Sequence, residues 1–85
     1  MKKIKFCQHA ELKFQILEKH GIPLTKAQIL EIVSHPDKVI EAEKSRRIAQ
    51  KVINAQQLIR VIFEESKDVI TVITFYPARR SRYED

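Results

Sequence analysis

Two apolar runs, Leu58 to Phe63 and Val69 to Phe75, are separated only by Glu64-Glu65-Ser66-Lys67-Asp68. Both are dominated by Ile and Val. Runs of this length, bounded by polar turn residues, read as buried strands rather than helices. The connection is too short for a parallel crossover, so the pair predicts an antiparallel hairpin. An even-numbered loop at Ser66-Lys67 would set Phe63 opposite Ile70, Val61 opposite Val72 and Ile59 opposite Thr74. Side-chain alternation then puts Ile59, Val61, Phe63, Ile70 and Val72 on one face, suited to packing on helices. Leu58, Arg60, Ile62, Val69, Thr71, Ile73 and Phe75 fall on the other, a half-polar face with an arginine in its middle. A slip of one residue would exchange the two faces.

The rest of the chain supplies partners for that hairpin. Ile4 and Phe6 alternate with Lys3, Lys5 and Cys7, which predicts a short first strand at a sheet edge, where lysines discourage further pairing. His9 to His20 reads as a helix with Ala10, Phe14 and Leu17 on one stripe. Gly21 stands where a helix C′ residue belongs, and Pro23 prevents continuation. Thr25 to Ser34 reads as a second helix, opened by a Thr25–Gln28 capping box and a Leu24–Ile29 staple. Its expected buried face is Ile29, Leu30, Ile32 and Val33, and His35-Pro36 ends it. Val39 to Glu43 and Arg46 to Ile53 are strand candidates, the latter with Ile48 and Val52 on one face and Arg47, Lys51 and Ile53 on the other. The order β-α-α-β-β-β-β predicts an α+β fold, two N-terminal helices packed on a twisted antiparallel sheet.

Eighty-five residues are expected to form one domain, residues 1–85. No apolar run approaches the length of a membrane span, and the start of the chain does not read as a signal peptide. The single cysteine, Cys7, cannot form an internal disulfide or a Cys-based zinc site. A cytoplasmic location is the expectation. The net charge of +5 favours a polyanionic partner, nucleic acid or an acidic protein. Lys2, Lys3 and Lys5 open the chain while Arg79, Arg80 and Arg82 close it, so adjoining terminal strands would pool this charge.

Catalytic motifs are sparse. One glycine cannot build a phosphate loop, and neither a metal-spaced histidine pair nor a nucleophile elbow is present. His9 lies at a strand–helix junction, His20 at a helix end where it would complement the helix dipole, and His35 in a turn. Arg60 is the sharper signal, because a guanidinium inside an apolar strand is costly unless it is paired or faces a cleft. The ending Tyr76-Pro77-Ala78-Arg79-Arg80-Ser81-Arg82-Tyr83 combines phosphate forks with rings able to stack on bases, although a solvated, frayed terminus would read the same way.

These features occur in a particular order: His9-Ala10 after the first strand, Lys19-His20-Gly21-Ile22, Pro36-Asp37, basic Arg46-Arg47, an I-R-V-I-F strand, and T-F-Y-P-A-R-R-S-R-Y-E. The ordered set resembles the small RelE/BrnT-like ribonuclease-toxin superfamily, nearest a bacterial and archaeal branch of it known as a domain of unknown function. The resemblance spans nearly the whole chain. It implies a compact endoribonuclease needing neither metal nor cofactor, the toxin component of a toxin–antitoxin system, held inactive by a cognate antitoxin protein. The BrnT-like pattern carries functional roles onto Lys19, His20, Arg79, Arg80, Arg82 and Tyr83, and the nearer branch adds His9 and Arg60. The chain lacks the W-D opening of BrnT-like toxins, and Pro77 is expected to interrupt the last strand.

Metal-free RNA cleavage needs a base for the 2′-hydroxyl, an acid for the leaving 5′-oxygen and cations for the phosphate charge. The catalytic candidates are therefore His9 or His20 for proton transfer, Arg60, Arg79 and Arg80 on the phosphate, and Tyr83 as base platform or proton donor. Lys19, Arg46, Arg47 and Arg82 are candidate RNA-binding residues. This reading predicts that Arg60, the tail arginines and a histidine converge in one groove. A non-catalytic RNA- or protein-binding module on the same fold would instead show a basic surface with the histidines scattered away from it. A homodimer would use a patch of Leu58, Ile62, Ile73 and Phe75.

Overall fold

In the computed structural model the described residues are 3–83, so Lys2 of the basic opening and Glu84 of the tail motif lie outside them. The chain runs β1 (Lys3–Phe6), α1 (Gln8–Lys19), α2 (Lys26–Ser34), β2 (Lys38–Glu41), β3 (Arg46–Val52), β4 (Gln57–Glu65), β5 (Val69–Arg79) and α3 (Arg80–Tyr83). The strands form one sheet in the order β1-β5-β4-β3-β2. The α+β architecture with two N-terminal helices on a sheet is as expected, with α3 added at the end.

The sheet is mixed rather than wholly antiparallel. β1 pairs parallel with β5, with Lys3 opposite Val69 and Phe6 opposite Val72. Three strands and two helices lie between them in the chain, which is ample for a parallel connection. The pairing also separates the two basic ends. Lys5 lies opposite Thr71 near the start of β5, whereas Arg79 is its last residue. At about 3.3 Å per residue the two are roughly 25 Å apart, so the charge does not pool.

The helix boundaries follow from local chemistry. Thr25 caps α2 by accepting from the Gln28 N–H at 3.2 Å, while Gln28 Oε1 accepts from the Thr25 N–H at 2.8 Å. Leu24 and Ile29 both join the core. At the end of α1 the Ile22 N–H bonds the Leu17 carbonyl and the Gly21 N–H that of Glu18, with Gly21 at φ 76°. This is a Schellman ending, in which the left-handed position suits a residue without Cβ. Ala10, Leu17, Ile29 and Ile32 then pack on Ala49, Ile59, Val61, Phe63, Val72 and Phe75. Leu30, expected on the buried face of α2, is exposed.

The β4–β5 hairpin differs from the expected register. Phe63 pairs with Val72, but Ile62 pairs with Thr74, leaving Ile73 as a β-bulge. An extra residue inverts the alternation beyond it. Phe75 therefore turns to the helix side, fully buried, with its ring 4.6 Å from that of Phe14. Leu58 is fully buried as well, so the proposed dimer patch loses two of its four members. β5 also runs through Pro77, which lies opposite Ile59, rather than stopping there. Beyond Val72 the strand has no β1 neighbour, and an edge tolerates a residue with no N–H to donate. Lys44 and Ser45, at φ 60° and 61°, turn β2 into β3. Two left-handed central residues fit the primed turns that suit hairpins.

Candidate functional site

The odd residues Ile59, Val61 and Phe63 of β4 belong to the helix-side core, so Arg60 between them projects from the opposite face. The register places Lys38, Gln50, Arg60 and Tyr76 side by side on β2, β3, β4 and β5. This polar row crosses a face whose next row is Ile40, Ile48, Ile62 and Thr74.

Arg60 is only 8% exposed. Its Nη1 donates to Oε1 of Gln50 at 3.2 Å, and Gln50 is itself buried. Its guanidinium carbon lies 4.0 Å from the centroid of the Tyr83 ring. Nε is buried with no hydrogen-bond partner. Among the described residues no carboxylate forms an ion pair with it. A buried cation held by one neutral acceptor and one ring is expensive in a structure that needs it only for stability.

The tail is not frayed. The Arg80 N–H bonds the Gln56 carbonyl at 2.9 Å and Arg80 Nη1 reaches the Ala55 carbonyl at 3.4 Å. These anchors turn the chain into α3, whose Tyr83 covers Arg60. Two grooves open beside it. One, of about 560 Å³, is lined by Ala55, Gln56, Gln57, Arg79, Arg80 and Ser81. The other, of about 720 Å³, is lined by Tyr76, Pro77, Ala78, Arg79, Ser81, Arg82 and Tyr83. They share Arg79 and Ser81, so the three tail arginines and both tyrosines border one continuous region.

The histidines lie elsewhere. His9 is exposed in the first turn of α1, and His20 is exposed at its C-cap with Lys19 just before it. Among the described residues, no hydrogen bond, ion pair or ring contact joins either histidine to Arg60 or the tail. The structure thus brings together Arg60, Arg79, Arg80, Arg82 and Tyr83, and leaves His9, His20 and Lys19 on the helical layer.

Arg46 and Arg47 sit toward the other end of the sheet, each matched with acid. Arg46 Nε meets Glu64 at 3.1 Å, and Arg47 bridges Glu41 at 3.2 Å and Glu65 at 2.9 Å. Gln50 was not singled out by sequence reasoning. Its signal was a polar residue between Ile48 and Val52 on the same side of β3, a position where strand patterning favours an apolar one.

Over 92% of its length the chain matches 97% of a solved structure, the Brucella abortus ribonuclease toxin BrnT, with TM-score 0.57 and 26% sequence identity. The chain thus has a BrnT-like fold. No protein-family model and no curated protein sequence matches it. Within this BrnT-like fold, a buried arginine, a tyrosine cover and a basic helical turn stand on the sheet face away from α1 and α2. No helix among the described residues is long and apolar enough to cross a membrane.

Proposed function

We propose that this BrnT-like domain is a cytoplasmic ribonuclease toxin whose RNA-binding centre is Arg60 with the α3 tail. The observation that carries this reading is a guanidinium 8% exposed, with no carboxylate partner among the described residues, stacked under Tyr83, which with Tyr76, Arg79 and Arg82 lines one of two adjoining grooves. Arg79, Arg80 and Arg82 would take successive phosphates, and Tyr76 and Tyr83 would offer rings to unstacked bases. In the cleavage step the 2′-oxygen bonds to phosphorus and the 5′-oxygen leaves. Arg60 would stabilise the charge that gathers on the phosphate, and the Tyr83 hydroxyl would give a proton to the departing oxygen. The 2′-proton would pass to solvent water, because His9 and His20 stand on the helical layer, across the sheet from Arg60, and a base must lie within hydrogen-bond reach of the 2′-hydroxyl beside the same phosphorus. A cognate antitoxin protein that covers this face is part of the proposal.

The separation of the histidines from the grooves favours a second reading, a non-catalytic RNA-binding module on the same fold. Induced expression in bacteria distinguishes the two, scored by growth arrest and RNA integrity. Wild type is compared with Arg60→Ala, His9→Ala and His20→Ala, each checked for soluble, folded protein. The toxin reading expects arrest and RNA degradation with wild type and loss of both with Arg60→Ala. The histidine variants report whether α1 takes part in the chemistry. Soluble wild-type protein with unimpeded growth and intact RNA leaves the binding module as the better account.

A further inference from the structure

Every cationic side chain on this sheet with a described carboxylate partner is exposed or half-buried, while the most buried one has an amide. Arg46 and Arg47 are paired with Glu64, Glu41 and Glu65. Arg60, far less exposed than either, donates to Gln50 instead. Stability alone would choose the reverse. A counter-ion matters little for an exposed arginine, which water and salt already screen. It matters most for a buried one, whose charge is otherwise uncompensated. Glutamate has nearly the shape of glutamine, so the register position opposite Arg60 could hold a carboxylate with little change in packing.

We propose that Gln50 is a positioning residue that holds the Arg60 guanidinium by a neutral acceptor, so that its charge stays available for a phosphodiester of single-stranded RNA. The proposal rests on the RNA-binding reading above and adds to it the residue that keeps the site cationic. A glutamate would aim the guanidinium equally well and cancel its charge. An apolar residue would keep the charge and lose the aim. Single-stranded RNA is the class that fits, because only unpaired bases can reach the rings of Tyr76 and Tyr83 beside the arginine. The orphaned Arg60 Nε supplies a further donor once Tyr83 moves aside. That movement is cheap for a four-residue helix, which has little stability apart from its docking.

The test uses the full chain with Gln50→Glu and Gln50→Met. Three quantities are read: thermal midpoint, affinity for a short, fluorescein-labelled 2′-O-methyl oligouridylate that cannot be cut, and cleavage of the unmodified oligomer. Gln50→Glu is expected to hold or raise the midpoint while weakening the oligomer by about ten-fold or more, the scale of a lost charge-assisted contact. Gln50→Met is expected to bind within about three-fold of wild type, because the charge remains. Any cleavage it shows should fall in kcat rather than KM, as expected when aim is lost without charge. A folded Gln50→Glu that binds as tightly as wild type overturns the proposal. So does a wild-type protein that does not bind the oligomer. If Gln50→Glu fails to fold, Gln50→Met decides: a ten-fold loss of affinity there shows that Gln50 contributes binding itself rather than preserving charge. Wild type that binds but does not cut removes the ribonuclease reading and leaves this one standing.

Discussion

On one side of β4, Ile59, Val61 and Phe63 are closed over by two helices; on the other, Leu58 and Arg60 lie on the face that α3 folds onto through Tyr83. Both sides are buried to a similar degree, but the burial has different origins. The helix side is apolar throughout, so its closure follows from the area removed from water. The α3 side carries a charge, which water would rather keep. A strand that needed only stability would carry a sixth apolar residue where Arg60 stands. The difference teaches which face is a core and which is a covered site.

The largest expected effect is on the helix side. Phe75→Ala removes a fully buried ring from the core. It should cost about 3–5 kcal/mol, read from urea denaturation. The whole domain is worth roughly 4–13 kcal/mol at the usual per-residue range, so the variant should sit close to unfolding. Loss of under about 1 kcal/mol would mean that Phe75 faces away from the helices and that the bulge at Ile73 is wrong.

That bulge marks where sequence reading stopped. The capping box at Thr25 and the left-handed turn at Gly21 are decided within a few residues of chain, and both were legible. The strands were legible too, because β-branched runs between turn formers admit little else. The partner of β1 was not, since nothing near Lys3 specifies a strand more than sixty residues later. The face of Phe75 was not, because one unpaired residue at Ile73 inverts the side-chain alternation beyond it. For the site, Arg60 was legible from its cost alone. Gln50 and the docking of Tyr83 were not, for they depend on a register and on a tail that composition describes only as basic. The separation of His9 and His20 from that site is likewise a matter of layers, which a linear pattern does not show.

An intermediate effect is expected on the α3 side. Tyr83→Ala removes the ring that covers the guanidinium. A desolvated cation–π contact suggests a loss of about 1–2 kcal/mol in urea denaturation. Tyr83→Phe keeps the ring and should stay within about 0.5 kcal/mol of wild type. If the hydroxyl donates the proton to the leaving oxygen, Tyr83→Phe also loses cleavage while retaining affinity for RNA. A Tyr83→Ala variant as stable as wild type would show that α3 contributes no closure, and the contrast between the two sides of β4 would reduce to helices against solvent.

The smallest effects belong to Arg46 and Arg47, and they set how far the site extends. Both carry carboxylate partners at substantial exposure, so Arg46→Ala or Arg47→Ala should change stability by only about 0–1 kcal/mol. They differ in direction. Arg46 shares the face of Arg60 and Gln50, four residues from Gln50 along β3 and so about 13 Å away. Arg47 alternates to the helix side. If RNA occupies only the grooves at α3, both variants should bind the oligouridylate within about two-fold of wild type. If the strand of RNA continues across the open face, Arg46→Ala alone should weaken binding and lower its salt dependence by about one phosphate contact, because Arg47 cannot reach the same surface.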